Sequence, residues 1–530
     1  MKKLSALILA VMMLTTLLGT VAFADGTSFT DTISDGGKYA NKDYSGEPLL
    51  EISYAGVGMD SNVAKFSQSD AIISTIEDKF NIRFTECTNL GWGEWDENMR
   101  IWINSGDTPD MMFYNINYLD LLEYTDQDML RNIPQEGFAE NYPALNSVIE
   151  ASAINSEFVK RFGGLYVLPH TIFANPPTSP LINHESVVLR KDWLEAIGME
   201  VKGAYTVDEL IEYGSKVSAA TDLPGAAPGQ TFGLDSDKME LFSQLFLVTY
   251  NPSYNTFRYD SEKGEYVWGV DDPSSLEGLK EYQKAWKSGL LHREFYVNTN
   301  RDPLANLSSG MSGSIITAGT PGFFNTIRKS YADVLGNDPE NLVFAAFTGN
   351  DGKTHKKEVT NYWGGTIFSP NLSDEKLERL LEMLDWLSTD AGQNMIRMGI
   401  YGTDWKYDEN GQAKIINATI NYPSKTNFLD CIVMCGDGFD LVNPAIPEEI
   451  RNATKRIYEL KSQGEIVPID WDLFLFSGTY YDKFSVDYDN ELAALVVADG
   501  NLETNFNAWV AEKMPVVQKV LDELNTNIKK

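Results

Sequence analysis

Four short stretches set an aromatic ring beside glycine or another turn residue, where its face can meet a ligand instead of a core. They are Gly91-Trp92-Gly93-Glu94-Trp95, Gly322-Phe323-Phe324, Tyr362-Trp363-Gly364-Gly365 and Thr403-Asp404-Trp405. The chemistry such rings offer is stacking. A sugar ring has apolar faces rimmed by hydroxyls, and an indole is a flat apolar surface with a polar edge. Neighbouring Asn, Asp and Arg groups can then bond the rim. The expected ligand-binding residues are Trp92, Trp95, Tyr114, Asn115, Arg190, Phe323, Trp363 and Trp405. Trp92, Trp363 and Trp405 are the stacking platforms, and Asn115 and Arg190 the hydroxyl partners. For each ring the competing reading is the anchor of a small local core, and for Arg190 an ion pair between lobes. The chain holds 11 Trp, 25 Tyr and 26 Phe, so most rings must be core. Trp386, among Leu380, Leu381, Met383, Leu384 and Leu387, is one; Trp286 and Trp509 lie on amphipathic helices and read the same way.

Other chemistries find less support. With 76 Asp and Glu, carboxylate pairs arise by chance, so none argues for a glycosidase dyad. There is no G-x-S-x-G and no H-E-x-x-H motif. The four histidines, His170, His184, His292 and His355, are not at zinc spacing, and neither metal nor cofactor is expected. Asp408-Glu409-Asn410-Gly411 reads as a hairpin turn, since the acidic residue that would close a calcium loop is missing. A net charge of −33 repels phosphate backbones, which argues against nucleic acid and against an anionic membrane surface. Cys87, Cys431 and Cys435 are too few for a disulfide framework; the last two either pair or pack as small hydrophobes.

The elements that must hold these residues begin after an export signal. Lys2 and Lys3, the apolar run Leu4 to Leu18 and Ala22-Phe23-Ala24 place a cleavage before Asp25. Residues 25–46 are Gly/Ser/Asp-rich and read as a flexible leader. Strands are expected at Leu49–Tyr54, Asn81–Thr85 and Asp110–Tyr114. They alternate with helices at Ser69–Phe80 and Glu94–Asn104, the pattern of a parallel sheet wrapped by helices. Ligands collect at the carboxyl ends of such strands, which places Tyr54 to Val57, Trp92 and Tyr114 to Tyr118 near one edge. Pro169, Pro176, Pro177 and Pro180 keep the next segment extended, a candidate inter-lobe hinge. Beyond it come a strand at Ser186–Leu189, helices at Lys191–Ile197, Thr206–Ala219 (with Thr206 and Glu209 as a capping box) and Ser274–Ser288, and a strand at Ser314–Thr317. Asn361–Phe368 is a further strand, Asp374–Leu387 an amphipathic helix, and Phe506–Asn525 the terminal helix.

In this order the chain resembles the extracellular solute-binding proteins of family 1, in particular the oligosaccharide-binding subunits of bacterial ABC importers. The resemblance covers nearly all of the mature chain. It rests on Asn104-Ser105-Gly106-Asp107-Thr108-Pro109-Asp110; Gly164-Leu165-Tyr166-Val167-Leu168-Pro169; Leu189-Arg190-Lys191-Asp192-Trp193-Leu194-Glu195-Ala196-Ile197-Gly198; Ser288-Gly289-Leu290 with Phe295; and Leu384-Asp385-Trp386-Leu387-Ser388 running to Ala391-Gly392-Gln393. It implies an α/β fold of two lobes of the type 2 periplasmic-binding-protein kind, each a mainly parallel sheet flanked by helices. Residues 47–183 with 362–430 form one lobe, and residues 184–361 with 431–525 the other. It further implies a monomer that closes on a carbohydrate in the cleft and delivers it to permease subunits, without enzymatic activity. A secreted glycan-cleaving enzyme, and a binding protein for a peptide or other nutrient, are the alternatives. Two departures from the family bear on this. Thr20 stands where a lipid-bearing cysteine is usual, so no lipid anchor is expected in this periplasmic or extracellular protein. The segment Thr221 to Gln230 has one acidic residue where several relatives carry a calcium loop.

Overall fold

The computed structural model describes residues 36–58, 71–115, 117–227, 229–297, 302–333, 336–417, 422 and 436–530. The expected export signal, Cys431 and Cys435 lie outside them. Two five-stranded sheets organise the chain. The first contains β1 (Leu50–Gly58), β2 (Ile82–Gly91), β3 (Met111–Tyr114), β4 (Leu168–Thr171) and β13 (Tyr362–Phe368), in the order β2-β1-β3-β13-β4. The second contains β5 (Glu185–Arg190), β6 (Ala204–Thr206), β7 (Phe232–Asp235), β10 (Ser312–Ala318) and β11 (Leu342–Thr348), in the order β6-β11-β5-β10-β7. Three ribbons complete the strands: β8 (Phe257–Asp260) with β9 (Glu265–Trp268), β12 (His355–Lys357) with β16 (Glu465–Val467), and β14 (Trp405–Tyr407) with β15 (Ala413–Ile415).

Each sheet is mainly parallel, as expected, with one strand reversed. β1, β2 and β3 run parallel, but β13 is antiparallel to both its neighbours. In the second sheet β5 is the antiparallel strand, between β10 and β11. The cause is connectivity. β5 and β13 each enter their sheet directly from a segment that crosses between lobes. They therefore start at the edge where the parallel strands end. One edge of each sheet thus gathers the carboxyl ends of its parallel strands, the start of its antiparallel strand and the crossing chain.

Alternation along the strands divides the cores. Val187 and Leu189 of β5 join Trp193, Leu210, Phe246, Leu279 and Val517 on one face, while Val188 joins Ile315, Phe324, Ile450 and Ile457 on the other. In the first lobe Ile52, Phe84, Met112 and Ile367 meet Ile76, Trp95, Leu380 and Leu384 from the covering helices. β1 runs on past the expected end at Tyr54, through Gly58 opposite Gly91 at the end of β2. Ala55, Gly56 and Val57 are buried there, so their small bulk reflects sheet packing. Residues 36–46, expected as flexible leader, are packed instead. Tyr39 and Tyr44 are buried, the Tyr44 ring lies 5.4 Å from that of Phe80, and Lys42 pairs with Glu382 at 2.7 Å. Two rings in this short polar stretch were enough to bring it onto the helix Asp374–Leu387.

The crossing region is a small ribbon system. Residues 172–184 form no helix, but where their prolines suggested an extended run they follow a series of bends. Ile182 bridges Glu358, the Val359 N–H donates to Leu181 at 2.9 Å, and the Glu358 N–H donates to Val467 at 2.8 Å. β12 and β16 run parallel beside them. Gly464 is obligatory here, because a Cβ at that position would lie 1.7 Å from the Thr354 carbonyl.

Candidate ligand-binding edge

The eight candidate residues separate into those at the crossing-side edges and those inside cores. Trp363, the second residue of β13, is 41% exposed. Its ring packs 5.2 Å from Phe113 and edge-on, 5.7 Å, to His170. Trp363 lies on the sheet face covered by the helix Trp92–Ser105, since its neighbour Phe113 also meets Trp95 at 5.9 Å; the register shift of β13 between Tyr362 and Gly365 breaks the regular alternation there. Tyr362 points to the other face, toward Phe158. Gly364 is needed beneath this arrangement. A Cβ there would fall 2.5 Å from the Phe113 ring, so the close approach that the glycine permits is used by Phe113.

His170 holds the platform from below and was not among the sequence candidates. It is fully buried, and its Nε2 meets the Thr366 hydroxyl at 2.8 Å. Its Nδ1 has no hydrogen-bond partner among the described residues. Burial pushes the imidazole down to about 3, so it is neutral at ordinary pH. A histidine between Pro169 and Thr171 in a strand carries no periodic signal that would have marked it.

Asn115 directly follows β3 at the same edge, and its amide donates to Asp96 at 3.0 Å. The backbone of Trp92 starts its helix from Gly91, which is extended, and neither Gly91 nor Gly93 has an atom within 4 Å of where a Cβ would stand. On the second lobe Phe323 is 53% exposed in the first turn of the helix Pro321–Asp333. That turn follows the end of β10, where the Gly319 N–H donates to His184 of the crossing segment at 2.9 Å. Trp363 and Phe323 are thus each held at the crossing-side end of a sheet, one per lobe.

Four candidates are corrected by their surroundings. Trp95 is fully buried against Trp102 and Phe113. Tyr114 is fully buried, with its hydroxyl donating to the Asn117 carbonyl at 3.1 Å. Trp405 is 2% exposed, donates its indole N–H to Gly399 at 3.0 Å and anchors a small cluster with Met398 and Ala413. Arg190 stands at the far end of β5, away from the crossing edge. It is buried, forks onto Asp192 at 3.1 and 2.6 Å, donates to the Pro224 carbonyl at 2.7 Å and lies 4.6 Å over the Trp193 ring. It pins the segment Thr221 to Gln230 within one lobe. The turn at Asp408 is as expected: β14 and β15 form a hairpin, and the Asp408 carboxylate accepts from the Asn410 and Gln412 N–H groups, each at 2.9 Å.

None of the eight candidates lines the cavity of about 850 Å³ that opens against the crossing ribbons; its walls come from β8, residues 357–360, residues 467–470, Leu473 and Phe474, with Tyr481 and Lys530.

No family model and no curated protein matches the chain. Solved structures do. The Streptococcus pneumoniae ABC-transporter substrate-binding protein FusA, in complex with kestose, aligns with a TM-score of 0.60 at 16% identity, over 90% of this chain and 100% of that one. The alginate-binding protein AlgQ2 gives 0.61 at 16% identity, over 91% and 98%. An extracellular solute-binding protein from Bifidobacterium longum subsp. infantis gives 0.62 at 12% identity, over 90% and 98%. At such identities the likeness concerns the architecture. The chain has the two-lobe α/β fold of the solute-binding proteins of ABC importers.

Proposed function

We propose that this protein captures a carbohydrate, an oligosaccharide in our reading, between its lobes and hands it to the permease of an ABC importer. The observation that carries the proposal is the exposed Trp363 ring, fixed by Phe113 and a neutral His170 at the end of the first sheet. A rigid, half-exposed aromatic face backed by uncharged groups suits the apolar face of a sugar ring. Phe323 offers a second ring from the other lobe, and the side chains of Asn115 and Asp96 offer polar atoms for the rim. Binding partners for kestose and alginate share the architecture, which supports the sugar class without identifying the sugar. Ligand contacts to both lobes would favour the closed form, and that form is what a permease would recognise. The export signal read from residues 1–24 fits this role, with the protein acting outside the cytoplasmic membrane.

Calorimetry against a panel of glycans and a panel of peptides tests the reading. Heat of binding from at least one oligosaccharide, recovered intact afterwards, is expected. Heat from peptides with none from glycans would replace the sugar with a peptide, and new reducing ends would replace capture with cleavage.

A further inference from the structure

The cavity at the crossing ribbons has a composition unlike the rest of the chain. Lysine and arginine number 43 against 76 acidic residues overall. Around the cavity stand three cations, Lys357, Arg258 and Lys530, and two carboxylates, Glu358 and Asp470. Four of these five are matched. Arg258 pairs with Asp272 at 2.9 Å, Lys530 pairs with Asp470 at 2.6 Å, and the Glu358 carboxylate accepts the Ile469 N–H at 3.0 Å. Lys357 is the exception. Its half-buried ammonium reaches the neutral Asn255 amide oxygen at 3.2 Å, and among the described residues it forms no ion pair. Burial pushes it down to about 8. A buried cation without a counter-charge is costly, and a carboxylate brought beside it would offset that cost.

The cavity also has an apolar, partly uncovered lining, beginning with Val467, the partner of Lys357 across the β12–β16 ribbon. Val467 and Phe474, both cavity residues, are 38% and 39% exposed, large hydrophobics that the fold leaves open. Phe257, Tyr259 and Tyr481 supply further rings around the same space. A volume of about 850 Å³ accommodates a small ring compound with room for water.

We propose that this cavity is a second ligand site, distinct from the Trp363 edge, for a small anionic ring compound such as an acidic monosaccharide, with its carboxylate on Lys357 and a ring face against Phe474 and Val467. Its walls include two crossing segments, residues 357–360 and 467–470, so an occupant touches the chain that must bend when the lobes move.

The test is titration of the full-length mature protein with sodium D-glucuronate, and with D-glucose as the neutral counterpart, followed by calorimetry or by ligand-observed NMR. Glucuronate is expected to bind and glucose to bind at least tenfold more weakly. Lys357→Met should weaken glucuronate at least tenfold while its melting temperature shows the fold intact, and Phe474→Ser should weaken it independently. Trp363→Ala should leave glucuronate binding in place. No glucuronate binding to the wild type, equal binding of glucose, or unchanged binding by Lys357→Met would overturn the proposal. So would loss of glucuronate binding in Trp363→Ala, because the acid sugar would then sit in the inter-lobe cleft. The oligosaccharide panel is read separately, so failure here leaves the capture reading standing, and the reverse.

Discussion

The crossing-side edge of the first lobe and that of the second solve the same problem with different chemistry. In the first lobe the buried polar group beside the edge is His170, neutral, under two aromatic rings and a hydroxyl. In the second it is an ionic set. Glu185 opens β5 with one carboxylate oxygen lacking a hydrogen bond among the described residues, Lys461 donates to the Glu185 carbonyl at 2.7 Å, and Lys356 lies fully buried 4.6 Å from the Phe347 ring. The first arrangement presents an uncharged stacking face. The second places charge inside the ribbons that join the lobes. The comparison teaches that the exposed ring and the hinge are built on separate supports, and each can be broken without the other.

The largest effect is expected from acid on the first lobe. The His170 imidazole is held near 3 in the fold but titrates at its ordinary value when unfolded, so the unfolded chain binds the extra proton between those values. Stability from this group is complete above the ordinary histidine value and is lost as pH falls toward 3, by up to about 5 kcal/mol. Denaturant titrations between pH 7 and 4 on wild type and His170→Asn should show a flatter acid limb for the variant. Next comes Trp95→Ala, which should cost about 3–5 kcal/mol as a large-to-small core change. Its thermal melting should fall even where Trp363→Ala leaves melting within a degree or two. A similar melting loss in Trp363→Ala would make that ring a core anchor as well.

A smaller effect is expected in the second lobe, with the same sign but in a window at higher pH. Burial holds Lys356 at about 8, below its ordinary value, so its charge penalty is complete below pH 8 and fades as pH rises toward 10.5. Lys356→Met should therefore stabilise the protein by about 2–3 kcal/mol at pH 7, measured by denaturant midpoint, with the gain shrinking above pH 9. A destabilised Lys356→Met would mean that the cation is compensated.

The stretches that carried the family resemblance turn out to be locks, which explains why the architecture was legible and the ligand was not. Gly106 adopts the left-handed conformation that ends its helix, and Asp110 accepts from the Ser53 N–H and from Lys376, each at 2.9 Å. Asp192 and Trp193 hold Arg190 and Pro224 together. Asp385 accepts from the N–H groups of Ala144 and Leu145 at the start of a helix. Thr206 and Glu209 form the capping box read from their spacing. All of these depend on local spacing or on a pattern shared by a fold. Whether an indole faces solvent or a core does not. Trp363 and Trp405 both stand among turn residues, and only the chain that packs over Trp405, remote in sequence from it in part, separates the two. Arg190 falls away from the cleft because strand direction decides which end of β5 meets it, and the direction of a single strand is not written in its residues.

The most direct test of the account is the affinity of wild-type protein and Trp363→Ala for one oligosaccharide that binds the wild type, measured side by side by calorimetry with both proteins shown to be folded. A loss of more than tenfold, about 1.4 kcal/mol, is expected for Trp363→Ala. An unchanged affinity would contradict the placement of the sugar at this edge.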